Sequence, residues 1–257
     1  MSDLDLSARN IVVTGAGAGI GRAIVLRLSQ LGARVALLGR RRTLLDEVAG
    51  QAKNETRVLS VDVRDRTAQE EAFSEVAKSW GPLHAVVANA GVGGPNGPGP
   101  DDRWDEVIRT NLDGTYFSLR AFQQHWAPGP EERHAVVISS CLGRFGVPGY
   151  SAYCASKAGL LGLVRSLALE WAAQRVLVNA VCPGWVDTEM ARSGMQDIAN
   201  ITGKPFEEAK GRALKQVPLQ RMSEPDEIAG IVAFLLSPDA RSFTGQAFDP
   251  NGGSWMG

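Results

Sequence analysis

The stretch "NIVVTGAGAGIGRAIVLRLSQLG", residues 10–32, decides the fold. It opens as a short apolar strand, passes through glycines at 15, 17, 19 and 21, and continues as a helix that ends at Gly32. Glycine permits the tight turn and lets backbone N–H groups come close to a ligand, while the helix N-terminus offers a partial positive charge. A strand, a glycine loop and a helix in direct succession form the front of a βαβ unit and suit the phosphates of a dinucleotide. Read from Gly15, Ile20 occupies the last glycine position of G-x-G-x-x-G, so the pattern is T-G-x-x-x-G-x-G. The expected phosphate contacts are Gly15, Gly17, Ala18, Gly19, Ile20 and Gly21.

The alternation continues along the chain. Apolar runs at 33–39, 57–61, 83–89, 134–140, 175–181 and 245–249 are separated by helical segments from about Thr43, at 67–80, at 103–126, from Tyr150 to Ala173, and at 224–236. This pattern predicts an α/β protein: one domain, a doubly wound seven-stranded parallel sheet with helices on both faces, and right-handed crossovers. Two segments, 91–102 and about 188–217, lack a regular pattern and follow strand ends. Ligands of open parallel sheets lie beyond the carboxyl ends of the strands, so both should frame a pocket. The second mixes Met190, Met195, Ile198 and Phe206 with Arg192, Lys204, Lys210 and Arg212, as a partly apolar substrate lid over about 188–217 would.

The chain has 257 residues, 44% of them apolar, enough for one large core. With 27 basic and 28 acidic residues, no global field favours nucleic acid or an anionic membrane. Cys141, Cys154 and Cys182 lack disulfide or metal-ligand spacing and read as reduced core cysteines, with no metal expected. The start "MSDLDLSARN" has no apolar core, and no run approaches the roughly 18 apolar residues of a membrane helix, so a soluble, cytoplasmic protein is expected.

"YSAYCASKAGL" (150–160) places Tyr153 four residues before Lys157, on one helix face, where the ammonium would favour a phenolate and pull the tyrosine pKa down from about 10. Together with the glycine spacing, "NAG" at 89–91, "YCASK" at 153–157 and "PGWVDT" at 183–188, this chain resembles the short-chain dehydrogenase/reductases over essentially its whole length. One departure is Ala88, where the family usually has the first of two asparagines. The resemblance implies a Rossmann-like sheet, a nicotinamide cofactor, a small-molecule carbonyl or alcohol substrate, and a homotetramer or homodimer. It also implies an Asn-Ser-Tyr-Lys set, found here as Asn111 in "TNLDG", Ser140 thirteen residues before the tyrosine, Tyr153 and Lys157. In that set Tyr153 exchanges the proton, Ser140 orients the substrate oxygen, Lys157 binds the nicotinamide ribose, and Asn111 holds a water linking the lysine to solvent. Ser139 should point away, since side chains alternate along a strand.

By the same resemblance, Asp62 with Val63 lies at the adenine, and Asn89, Ala90 and Gly91 line the cofactor. Pro183, Gly184, Val186 and Thr188 would close over the nicotinamide. An NAD enzyme of this type carries a carboxylate at the end of the second strand. Gly39 stands there, followed by Arg40, Arg41 and Arg42, and guanidinium forks suit a 2′-phosphate. NADP(H) is the expectation; NAD(H), with the arginines as solvated surface charge, is the alternative. The substrate pocket should be lined by Cys141, Leu142, Trp185 and Met190. A 3-oxoacyl thioester fits the family members this chain resembles, while a cyclic or secondary alcohol or a polyol remains open. A sugar-nucleotide epimerase would need a larger C-terminal domain, and a non-enzymatic dinucleotide sensor would normally lack one of the four residues. The three histidines read as surface or capping groups.

Overall fold

The computed structural model describes residues 4–257; the first three residues of the acidic start lie outside the described residues. Seven strands, β1 (Asn10–Thr14), β2 (Arg34–Gly39), β3 (Thr56–Ser60), β4 (Ala85–Ala88), β5 (Arg133–Ile138), β6 (Val176–Val181) and β7 (Ala247–Phe248), form one sheet. It is parallel throughout, in the order β3-β2-β1-β4-β5-β6-β7. The chain winds outward from β1 to β3, then returns to lay β4 against the other side of β1. That reversal opens a crevice beyond the ends of β1 and β4, where open α/β sheets bind ligands.

Alternation along each strand builds two cores. Ile11, Val13, Val35 and Leu37 face one side, where they pack with α1 (Gly19–Gln30) and α9 (Pro225–Leu235). Val12, Ala36, Leu38 and Val86 face the other, under α3 (Arg66–Trp80), α5 (Gly114–His125) and α6 (Ser151–Trp171). Both faces of the sheet are therefore dry, as continuous Val/Ile/Leu strands require. The fold is a single Rossmann-like domain, as the alternation predicted.

Two elements differ from expectation. The helix predicted over 103–126 is α4 (Trp104–Ile108) and α5 joined by a π-helical turn at Arg109–Asp113. The turn carries Asn111, whose side chain is drawn to the Val92 backbone. The segment at 188–217, expected to be irregular, is mostly helical: α7 (Glu189–Thr202) and α8 (Phe206–Lys215). Thr188 caps α7 by accepting from the Ala191 N–H, and Ala191, Met195 and Ala199 bury one stripe of it. Small residues dominate that stripe, which is why the apolar periodicity is faint in the sequence. The remaining helix, α2 (Arg42–Ala49), follows β2.

Candidate active site

A cavity of about 940 Å³ runs from the glycine loop across the ends of β1, β4, β5 and β6 to α7 and α8. It lies at the upper end of the range for small-molecule sites, roughly 300–1,000 Å³. Gly15 (φ 65°) and Gly19 (φ 51°) adopt the left-handed conformation that turns the chain from β1 into α1. A Cβ on Gly15 would stand 2.8 Å from the Ala90 Cα, so the loop is pressed against the end of β4. Asn89 secures that contact: its Nδ2 donates to the Thr14 and Gly15 carbonyls at 3.0 and 3.1 Å. The Thr14 hydroxyl in turn accepts from the Asn89 and Ala90 N–H groups. α1 starts with no capping side chain and no acidic residue in its first turn, so its N–H groups are left to whatever occupies the loop. This cradle fits a dinucleotide phosphate bridge.

At the adenosine end Gly39, Arg40, Arg41, Asp62 and Val63 line the same cavity. Arg42 is committed elsewhere, with its Nε on both carboxylate oxygens of Asp46 at 2.9 and 3.0 Å. Among the described residues, neither Arg40 nor Arg41 has a carboxylate within ion-pair distance. Asp62 is gripped by Arg64, whose Nη2 donates at 2.6 Å, and this pairing holds its carboxyl below the usual carboxylate range.

At the centre, Ser140 follows the end of β5, and Tyr153 and Lys157 lie on adjacent turns of α6. All three line the cavity; Asn111 is fully buried behind it. Lys157 donates from Nζ to the Ile138 carbonyl at 2.9 Å and lies 5.6 Å from the centre of the Tyr153 ring. The Ser140 hydroxyl accepts from the Leu142 N–H, whereas Ser139, which also borders the cavity despite the expectation that it points away, donates to the Lys157 carbonyl and ties α6 to β5. Asn111 accepts from the Val92 N–H at 2.8 Å and donates to the Val92 carbonyl and the Ser156 hydroxyl at 3.0 and 3.1 Å.

The electrostatics depart from the sequence expectation. Burial pushes the Tyr153 phenol up to about 12, with the Ser140 hydroxyl pulling the other way, and pushes the Lys157 ammonium down to about 8. In the protein alone the cost of burying a phenolate outweighs any help from a neighbouring charge, so Tyr153 is raised rather than lowered. Tyr153 is thus a protonated donor near neutral pH. Burial also pushes the Cys141 thiol up and Cys182 up to about 11, so neither is an activated nucleophile.

The far wall holds Leu142, Trp185 and Met190, with Pro183, Gly184, Val186 and Thr188 on the loop between β6 and α7. A Cβ on Gly93 would meet the Met190 sulfur at 3.2 Å and the Tyr153 ring at 3.8 Å, so α7 already leans over the tyrosine. A Cβ on Gly19 would meet the Thr188 methyl at 3.1 Å. Sequence reasoning missed Phe145, Val147 and Tyr150, on the loop entering α6, and Ser254 near the C-terminus, all of which line the cavity. Their only signal is that they follow Ser140 or the last strand. Arg192, Lys204 and Arg212 are paired with Asp187, Glu208 and Glu208 respectively.

Residues 15–254 match the family model described as Enoyl-(Acyl carrier protein) reductase. The chain is 38% identical to the acetoacetyl-CoA reductase of Synechocystis, with 98% of each chain covered. It belongs to the short-chain dehydrogenase/reductase family. Another member, a 3-oxoacyl-[acyl-carrier-protein] reductase from Aggregatibacter actinomycetemcomitans, is 35% identical, covering 96% of this chain and 99% of its own. A variant of actinorhodin polyketide ketoreductase, solved with NADPH, superposes with a TM-score of 0.86 at 34% identity, covering 96% of this chain and 97% of that one. The short-chain dehydrogenase/reductase described here is an NAD(P)(H)-dependent oxidoreductase acting on carbonyl and alcohol groups. Among the described residues no helix is long and apolar enough to cross a membrane.

Proposed function

We propose that this enzyme uses NADP(H) to reduce the keto group of a 3-oxoacyl thioester to a secondary alcohol. The observation that carries the reading is the continuity of one cavity from Arg40 and Arg41, which have no carboxylate partner, past the glycine loop to Ser140, Tyr153 and Lys157. When bound, the reduced nicotinamide supplies a hydride to the carbonyl carbon. The chain supplies the rest. Ser140 donates a hydrogen bond to the carbonyl oxygen and Tyr153 transfers its proton to that oxygen as negative charge develops. Burial keeps Tyr153 protonated, which favours reduction over oxidation near neutral pH. Lys157 holds the ribose and offsets the phenolate left behind, with Asn111 holding a water that links the lysine to solvent. Arg40 and Arg41 take the 2′-phosphate, and Asp62 and Val63 the adenine. Pro183, Gly184, Val186 and Thr188 pack on the nicotinamide side, with the segment 188–217 acting as lid.

The thioester assignment draws on the relatives named for acetoacetyl-CoA and 3-oxoacyl carrier substrates. Arg212 borders the cavity but is paired with Glu208 at 3.0 Å, so it would meet an anionic carrier arm only by exchanging that partner. We also read the protein as a cytoplasmic homotetramer or homodimer, since Leu169 on α6 is 83% exposed, and light scattering against the 27.4 kDa monomer tests this. The deciding experiment is equilibrium binding of NADPH and NADH, followed by nicotinamide absorbance with acetoacetyl thioesters. Tight NADPH binding with thioester-dependent oxidation is the expected result. NADH preference with turnover only of free alcohols would instead identify a catabolic alcohol dehydrogenase.

A further inference from the structure

α7 presents Met190, Gly194 and Ile198 to the cavity at i, i+4 and i+8, a stripe about 12 Å long at 1.5 Å per residue. Met190, at the inner end, lies over Gly93 and the Tyr153 ring. Gly194, at the middle of the stripe, has no side chain. A Cβ there would stand 3.5 Å from the Trp185 ring and 3.9 Å from the Tyr150 hydroxyl, ordinary contact distances. Alanine would fit, and a helix interior favours it over glycine by about 1 kcal/mol. The glycine therefore leaves a notch bordered by the rim of the Trp185 indole (Cζ3 and Cη2) and the Tyr150 hydroxyl, one helical turn along α7 from Met190. Phe145 and Val147 complete the apolar lining on the opposite loop. A polar group at the notch is the Tyr150 hydroxyl, which burial and the Asp197 carboxylate keep protonated as a donor.

We propose that the notch at Gly194, between Trp185 and Tyr150, receives the substituent on the far side of the substrate carbonyl, and that it is built for an aromatic or fused-ring group. This deepens, and rests on, the ketone-reductase reading. An aryl ring would meet the rim of the Trp185 indole edge-to-face, and Gly194 sets the upper limit on its size.

The test measures kcat/KM with NADPH for two thioesters, acetoacetyl- and benzoylacetyl-N-acetylcysteamine, and two plain ketones, butanone and propiophenone. Within each pair the aryl member should be favoured by about 10-fold or more, the discrimination that apolar pocket contacts command. Gly194→Leu should lower the aryl members by about 10-fold or more while sparing the methyl members and leaving NADPH affinity and the thermal midpoint unchanged. Gly194→Ala, which favours the helix, should fall between and decides the matter should the leucine variant not fold. Preference for the methyl members, or equal losses in both with cofactor affinity intact, would overturn the proposal. An aryl preference confined to plain ketones with neither thioester turned over would remove the thioester reading and keep the notch. Turnover of both thioesters without aryl preference would do the reverse.

Discussion

The two ends of the sheet use polar groups in opposite ways. At the amino ends of the strands, Asn10, Arg133 and His134 are buried. Asn10 donates to the Trp80 and Pro82 carbonyls at 3.0 and 2.9 Å, its N–H is taken by His84 Nδ1, and Arg133 bonds the Gly129, Glu131 and Gln174 carbonyls. Polarity there seals the fold by satisfying backbone. At the carboxyl ends, Gly15, Gly39, Gly91, Ser140 and Gly184 face the cavity. A titratable group at the closed end should therefore matter to stability alone, and one at the open end to turnover alone.

The sharpest way to break this contrast is Tyr153→Phe. Removing the proton donor should cost roughly 10²- to 10⁴-fold in turnover, with NADPH binding and the thermal midpoint retained; full turnover would move the chemistry off Tyr153. The counterpart is His134, read from sequence as a surface or capping group and in fact buried, its pKa lowered by burial from 6.5 to about 4. Between those values the unfolded chain binds the proton and the folded one does not, so stability is present above about pH 6.5 and is lost as pH falls to about 4, by about 3 kcal/mol. His134→Val should flatten that acid limb in denaturant titrations and leave turnover per folded molecule at pH 7 unchanged. An unchanged slope would mean the histidine does not titrate against burial. At the open end, Lys157 loses its charge above about pH 8, so the reductive kcat/KM should fall by up to tenfold per unit beyond it. A flat profile to pH 10 would show that the lysine charge does not assist Tyr153.

The closed frame was far more legible in the sequence than the open rim. Strands such as Val12–Val13 and Val86–Val87 announce themselves because both faces are buried, and the glycine loop because its residue types have few other uses. α7 was hidden because its buried stripe is Ala191, Met195 and Ala199, two of them too small to stand out. The interruption at Arg109–Asp113 was hidden because the contacts that accompany it, the bonds between Asn111 and the Val92 backbone, join residues 19 apart in sequence. Lys157 was placed on the correct helix turn, yet Tyr153 is buried at the floor of the cavity, and that burial reversed the expected lowering of its pKa. Local spacing fixes which side chains share a face, while their partners and burial are set by tertiary packing.

Arg40 and Arg41 sharpen the contrast at the edge of the open end, where solvent weakens each charge. Arg40→Ala with Arg41→Ala should raise the NADPH dissociation constant by about tenfold, leaving NADH near its starting value. Equal losses for both cofactors would point to a general phosphate role or to surface charge.

Thr188 stands on both sides of the contrast. Its methyl packs toward Gly19 in the phosphate loop, its hydroxyl accepts from the Ala191 N–H at 3.3 Å to start α7, and it donates to the Val186 carbonyl at 3.2 Å. Thr188→Val keeps the methyl contact and deletes the cap, a loss of about 1 kcal/mol. Since α7 packs on the domain through small residues, that loss should appear as local opening. Amide exchange in the first turns of α7 should quicken about fivefold, and KM for the ketone should rise by a similar factor as Met190 and Trp185 lose their register. The global midpoint should stay put. Faster exchange without a change in KM would separate the cap from the lid, leaving Thr188 a structural residue that happens to border the site.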